Sequence, residues 1–434
     1  MGMTQRPRSG SGRPESLSYA TVPSAPASLG SDAVWSGARK VAATVLVGHL
    51  ALMFAVFLLL RTSTLVARGN ETTADRAVFT AANAGTLTGF QQTIGLREMR
   101  QAGMAGPLVM LLLTITGSLA SLIVGGLAAA RVLQMPHTVR QVVWAAVSAV
   151  LLATLGGAAA LTAAGMNVFD AILQAASAFA NSGLYTGTLP STMSAATYLV
   201  LLPLAVLGGL GLPVLIELSD RAFGGPPLSK YSRLVLDMTG IVYVIGFVAL
   251  VLAQASVASG AGWPAWRSTL ASCSVAALNT RSAGLPFQSP AAFTAPGQWI
   301  LIGLMIVGAA SAGTAGGLKI TTLSQLWRGT RAVLSGAAVP RVFGIALVWC
   351  GAYLLLLFVG VILLVGSEPQ IPGDRLLFLS ASALGNVGLS HDPVSITGPG
   401  LLILSALMIV GRFAPLAVLW WLAETAPGAD MLVG

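Results

Sequence analysis

Four short strings in this chain share a chemistry. They read Asn83-Ala84-Gly85-Thr86-Leu87-Thr88-Gly89-Phe90, Ser177-Ala178-Phe179-Ala180-Asn181-Ser182-Gly183-Leu184, Leu278-Asn279-Thr280-Arg281-Ser282-Ala283-Gly284-Leu285 and Ser382-Ala383-Leu384-Gly385-Asn386-Val387-Gly388-Leu389. Each ends in a glycine followed by Leu or Phe, and the glycines are 94, 101 and 104 residues apart. Each closes an apolar segment of about a dozen residues, at roughly 75–86, 168–180, 266–279 and 374–385. At 1.5 Å per residue such a helix is too short to span a bilayer and reads as re-entrant. A re-entrant helix aims its negative dipole end inward, and the turn beyond it exposes backbone carbonyls. Glycine permits positive φ and lets those carbonyls approach an axis. Carbonyls converging from four sides replace the hydration shell of a monovalent cation.

Such turns need a membrane scaffold, and the composition supplies one. Of 434 residues, 55% are hydrophobic and 9% charged, and the mean hydropathy is +0.82. A soluble protein carries about 25% charged residues, so a water-soluble globule is excluded. Long apolar segments occur at roughly 41–60, 106–130, 142–165, 196–218, 234–256, 298–324, 342–366 and 399–423. Two flank each short segment, which makes a fourfold repeat of span, short helix, glycine turn and span. Each unit crosses twice, so all four turns dip in from one side, and parallel repeats surround one axis. The reading is an all-α membrane protein with these units at 41–132, 133–230, 231–333 and 334–434. Residues 1–40, polar and rich in Ser, Pro, Gly and Ala, read as a disordered cytoplasmic tail.

Charge follows topology. Thirteen of the 23 Lys and Arg fall on the N-terminal side and eight on the other, Arg281 among the latter. That bias places the N-terminus in the cytoplasm. Asp75, Asp170 and Asp374 stand near the starts of three short helices, where they suit the positive dipole end and draw cations to a mouth. Two charges, Lys319 and Arg412, fall inside spans and mark a pathway or a partner. Lys319 ends Gly308-Ala309-Ala310-Ser311-Ala312-Gly313-Thr314-Ala315-Gly316-Gly317-Leu318-Lys319, whose small residues and glycines weaken the sixth span as a helix. His49 reads as a packed polar residue. Cys273 and Cys350 form no metal motif, and no disulfide framework is expected.

These residues resemble the TrkH/KtrB/HKT superfamily of potassium transporters over about 41–423. The resemblance rests on the four turns and on Gly208-Gly209-Leu210-Gly211-Leu212-Pro213-Val214. It extends to Leu228-Ser229-Lys230-Tyr231-Ser232-Arg233-Leu234-Val235-Leu236, Gly316-Gly317-Leu318-Lys319 and Gly411-Arg412. Eight spans look most like the KtrB-type membrane subunit. The resemblance implies four M1–pore helix–M2 repeats around a pseudo-fourfold pore. It implies that Thr88, Gly89, Ser182, Gly183, Ala283, Gly284, Val387 and Gly388 bind K⁺ as a filter. It implies a gate at Gly313, Thr314, Gly316, Gly317, Lys319 and Arg412, with Arg412 pointing beneath the filter. It implies a homodimer in the plasma membrane. A separate RCK-type (KtrA/TrkA-like) cytoplasmic ring would bring any nucleotide. Departures are Asn386 where Thr is usual, Leu379 where Glu is often found, and Ala309, Ala310, Ser311, Ala312 and Gly313 in the gating loop.

The expected function is potassium uptake. The alternatives are a sodium-permeable protein or an ion-coupled carrier of another small solute. A carrier asks for acidic or His residues at midplane, and the spans offer few. The sequence has no carboxylate pair, no HExxH and no GxSxG, which argues against an enzyme.

Overall fold

The computed structural model describes residues 32–62, 65, 72–90, 99–101, 103–186, 188–258, 262–281, 283–391 and 396–425. Among them the chain is helical, with one isolated bridge between Val307 and Leu318. The first unit holds α1 (Asp32–Leu60), short α2 (Ala74–Gly85) and α3 (Ala105–Val132). The second holds α4 (Val139–Ala163), short α5 (Val168–Ala180), a π-helical turn (Thr197–Leu201), α6 (Leu202–Leu210) and α7 (Leu212–Ala222). The third holds α8 (Lys230–Ala258), α9 (Gly262–Asn279), α10 (Ala295–Ile306) and α11 (Ile320–Leu334). The fourth holds α12 (Arg341–Ser367), short α13 (Gly373–Leu384) and α14 (Pro399–Thr425).

Local sequence sets several boundaries. Thr138 and Gln141 form a capping box at the start of α4, with Thr138 N donating to Gln141 Oε1 at 2.8 Å. Asn167 caps α5 by accepting from Phe169 N at 3.0 Å. Thr294 caps α10, with Pro296 in its first turn, where a missing N–H costs nothing. The outward faces are apolar: Val348 is 74% exposed and Leu355 62%. Such faces suit lipid rather than water.

Packing runs in a cycle. Each short helix packs between the two long elements of its own unit. In addition α3 packs on α5, α6 on α9, α10 on α13, and α14 back on α2. The second long element of every unit therefore touches the next unit's short helix, and the fourth closes on the first. These inner elements are the more buried: 61% of the apolar window of α3 lies inside, against 22% for α1.

Six described helices are long and apolar enough to cross a membrane, or seven if the bent pair α6–α7 counts as one. The chain is a multi-pass membrane protein. Two expectations need correction. The helix expected from 41 begins at Asp32, so 32–40 is helix and not tail, while 1–31 lie outside the described residues. The segment 196–218 is not one straight span. It bends by 110° at Gly211, whose φ of 86° lies in the left-handed region. Pro213, in the first turn of α7, adds a second break signal at the bend. The sixth span is broken where its small residues and glycines weaken it: 298–324 divides into the twelve-residue α10, an irregular inner loop at 307–319, and the start of α11.

Candidate functional site

The four turns meet in a ring. Gly89, Gly183, Gly284 and Gly388 all have positive φ, at 83°, 64°, 59° and 83°. A Cβ at Gly89 would strike the carbonyl oxygen of Ser182, and one at Gly183 would lie 2.9 Å from that of Gly284. A Cβ at Gly284 would strike the Val387 carbonyl, and one at Gly388 the Thr88 carbonyl. The order is first to second, second to third, third to fourth and fourth to first. Only glycine tolerates both this φ and this approach. Thr88, Ser182, Ala283 and Val387 lie beside these glycines and are themselves buried.

Asparagines hold the turns in two ways. In the first, Asn83 accepts from Phe90 N at 2.8 Å and donates to Phe90 O at 3.0 Å. In the third, Asn279 accepts from Leu285 N at 3.0 Å and donates to Leu285 O at 2.7 Å. The second and fourth turns place an asparagine in the left-handed region instead: Asn181 at φ 54° and Asn386 at φ 49°. Their side chains reach outward to other elements. Asn181 Nδ2 donates to Ala205 O at 3.1 Å and Thr314 Oγ1 at 2.8 Å. Asn386 Nδ2 donates to Thr88 Oγ1 at 3.0 Å and Met408 O at 2.8 Å.

The inner loop packs beneath this ring. Ala310 N donates to Gly209 O and Thr314 N to Gly208 O, both at 3.0 Å, and Leu212 N donates to Ala312 O at 3.0 Å. The backbone groups freed where α6 breaks are thus satisfied by the loop that breaks the third unit. Thr314 Oγ1 donates to Phe179 O at 2.9 Å. A Cβ on Gly316 would strike Gly385 O, and one on Gly313 would lie 2.9 Å from Gly209 O. Gly317 turns at φ 71°.

Two buried cations face the loop. Arg412 donates from Nε to Thr86 O at 2.7 Å and from Nη1 to Thr314 O at 2.5 Å, while Nη2 has no partner. Lys319 Nζ donates to Ala315 O at 2.6 Å. Both line a cavity of about 10 Å³, near the size of one water, together with Ser121, Ser311 and Gly313.

The chain is 26% identical over 280 residues to Ktr system potassium uptake protein B of Vibrio alginolyticus, covering 60% of each chain. It is 28% identical over 272 residues to the Bacillus subtilis protein of the same name, covering 59% of this chain and 60% of that one. Its fold is similar to that of the potassium transporter TrkH from Vibrio parahaemolyticus, with a TM-score of 0.67 and 19% identity over 88% of this chain and 85% of that chain. The chain is thus similar to Ktr-type potassium uptake proteins in sequence and to TrkH in fold. It is also 24% identical over 282 residues to potassium/sodium uptake protein NtpJ of Enterococcus hirae, with 61% of each chain covered. No family model matches. The chain spans about 60% of the length of the curated relatives it matches.

The described residues bring together all fourteen site residues expected from the sequence. Other charged residues sit in surroundings that their place in the sequence does not suggest. Arg281, counted among external loop charges, is buried; it donates from Nη2 to Gly308 O at 3.0 Å and from Nη1 to Thr239 O at 3.3 Å. Its signal was position: it lies three residues before the third glycine, inside a turn and not in a loop. Asp170 is matched by Arg100 Nη1 at 2.6 Å and by Thr186 Oγ1, so its charge is largely answered at the rim. Asp75 accepts from Gly398 N at 2.7 Å, tying the first unit to the fourth. The Thr73 side chain and that amide hold its carboxyl below the usual carboxylate range. His49 is packed, with Nε2 donating to Gly85 O at 2.9 Å.

Proposed function

We propose that this chain is the ion-translocating subunit of a Trk/Ktr-type potassium uptake system. Four parallel repeats, each of M1, pore helix and M2, surround one pore, with eight membrane crossings in all. The carbonyls beside Gly89, Gly183, Gly284 and Gly388 form the filter, with Thr88, Ser182, Ala283 and Val387 supplying its inner layer. The observation that carries this reading is the closed ring, in which each glycine's missing side chain leaves room for the next turn's carbonyl. Four backbones at such approach leave their oxygens as ligands for a monovalent cation shorn of its water. Backbone at this depth is tolerated where it lines a path.

The inner loop with Gly313, Thr314, Gly316, Gly317, Lys319 and Arg412 is the gate. Its glycines permit movement, and its two cations oppose cation passage while they stay beneath the ring. The protein works as a homodimer in the plasma membrane, N-terminus cytoplasmic, on a separate RCK-type ring that binds the nucleotide. The name of the Enterococcus relative supports a second reading, in which sodium also permeates.

The test is cation flux into proteoliposomes of the purified full chain under K⁺ or Na⁺ gradients. Potassium flux that exceeds sodium flux and collapses in Gly388→Asp, with the variant still folded, supports the reading. Equal fluxes select the sodium-permeable one. Flux unaffected by Gly388→Asp removes the filter assignment.

A further inference from the structure

A cavity of about 680 Å³ lies behind the bend of the second unit, between α4 and the pair α6–α7. Its walls are apolar for most of their length, with Ala149, Ala153 and Gly156 in a stripe on α4, and Leu204 and Leu207 on α6. The deep end reaches Phe179 and Leu212. The other end is polar, with His137, Gln141, Ser219 and Asp220. It opens on the outer face of the bundle beside Leu152, which is 73% exposed.

Three observations define the occupant. First, Gln141 and Gly157 both line the cavity, and the helix between them rises about 24 Å at 1.5 Å per residue. One leaflet with its headgroup layer is about half of a roughly 40–45 Å bilayer. Second, the opening lies on a face whose neighbouring Leu151 and Leu155 are exposed and apolar, so what meets it is hydrocarbon. A gap of this size left empty would forfeit dispersion contacts along its whole lining. Third, the polar end is unfinished: His137 Nδ1 is buried and has no hydrogen-bond partner. Such a group asks for one. Asp220 at the same end supplies a negative charge.

We propose that this cavity is the seat of one phosphatidylethanolamine molecule from the leaflet on the His137 side. One acyl chain lies along Ala149, Ala153 and Leu207, and its end abuts Phe179. The headgroup's phosphate and ester oxygens meet His137 and Gln141, and its ammonium meets Asp220. The seat adjoins the inner loop, since Phe179 O accepts from Thr314 and Leu212 N donates to Ala312. The inference needs only that the chain crosses a membrane, and stands whichever ion passes.

The test uses the full chain in phosphatidylglycerol vesicles carrying a trace of phosphatidylethanolamine with a diazirine in its acyl chain. After illumination, mass spectrometry should find labelling of 145–157 and 204–216 at least fivefold above that of Val348, Leu355 and Ile362 on α12. Ala153→Trp, which fills the cavity, should cut that labelling at least fivefold, while Leu155→Trp on the outward face leaves it unchanged. Ala149→Leu serves if Ala153→Trp fails to fold. Asp220→Asn should abolish the advantage of a phosphatidylethanolamine probe over a phosphatidylglycerol probe. Uniform labelling of all outward faces overturns the proposal, as does labelling unchanged by filling. So does a chain-to-chain cross-link across α4, which would give the cavity to a second copy.

Discussion

Arg412 donates to the carbonyl oxygen of Thr314 at 2.5 Å, and with the same guanidinium to the carbonyl of Thr86 at 2.7 Å. One side chain of the fourth unit thus clamps the inner loop to the base of the first turn. A hydrogen bond from a charged donor contributes about 1.5–3 kcal/mol, and 1.4 kcal/mol is a factor of ten in an equilibrium.

Arg412→Gln should therefore release the loop. Potassium flux in proteoliposomes should rise about tenfold over the parent chain, and a cysteine placed at Ala315 should react faster with a thiol reagent. Flux at or below that of the parent would show that the clamp holds structure and not a gate.

The two asparagine clamps predict a stability effect. Asn83→Ala leaves Phe90 N and O without partners, and Asn279→Ala does the same at Leu285. A buried group left unsatisfied costs about 1–3 kcal/mol. Each variant should melt several degrees lower in detergent and lose flux. The conservative Asn→Asp replacement keeps only the accepting half and should fall between.

Asp75 predicts a pH effect. Its carboxyl lies below the usual range when folded, through the Thr73 side chain and the Gly398 amide. A depressed folded value contributes stability above the unfolded value, and that stability is lost as pH falls through the folded one. Asp75→Asn should thus melt lower than the parent at pH 7. The gap should close as the pH drops below about 4, where the carboxylate ordinarily protonates. A gap independent of pH would assign the tie to shape rather than charge.

Ala312 has a φ of 60° in the inner loop, a conformation that costs a non-glycine residue about 1–2 kcal/mol. Ala312→Gly should raise the melting temperature, because strain relief exceeds the added freedom of the unfolded chain. A lower melting temperature would mean that the Ala312 methyl, which packs near Gly125, matters more than its backbone.

Much of this arrangement was legible in the residues. Gly89, Gly183, Gly284 and Gly388 announced themselves by even spacing and by the short apolar segments before them. The weak helix at 308–319 followed from its small residues. The bend at Gly211 did not, because 196–218 is continuously apolar and hydropathy does not register direction. Gly211 and Pro213 carried the signal, but they read as motif and not as break. Charge counting assigns every Arg between spans to water, which does not hold for Arg281. Backbone carbonyls freed by a broken helix give it another home, and a carbonyl cannot be seen in a sequence. The pairing of Asn386 with Thr88, 298 residues apart, arises only once the fourth unit closes on the first.

The bonds between the inner loop and the break at α6 carry a consequence for solvent. Three donors, on Ala310, Thr314 and Leu212, are matched to three acceptors, on Gly209, Gly208 and Ala312. Any displacement of the loop leaves these six groups needing replacements, and lipid offers none. Water must enter as the loop leaves, so the two positions differ in hydration as well as shape. Osmotic pressure from an excluded solute such as sucrose would then favour the closed position. If the loop is the gate proposed above, the protein would sense the activity of water through the backbone of that gate.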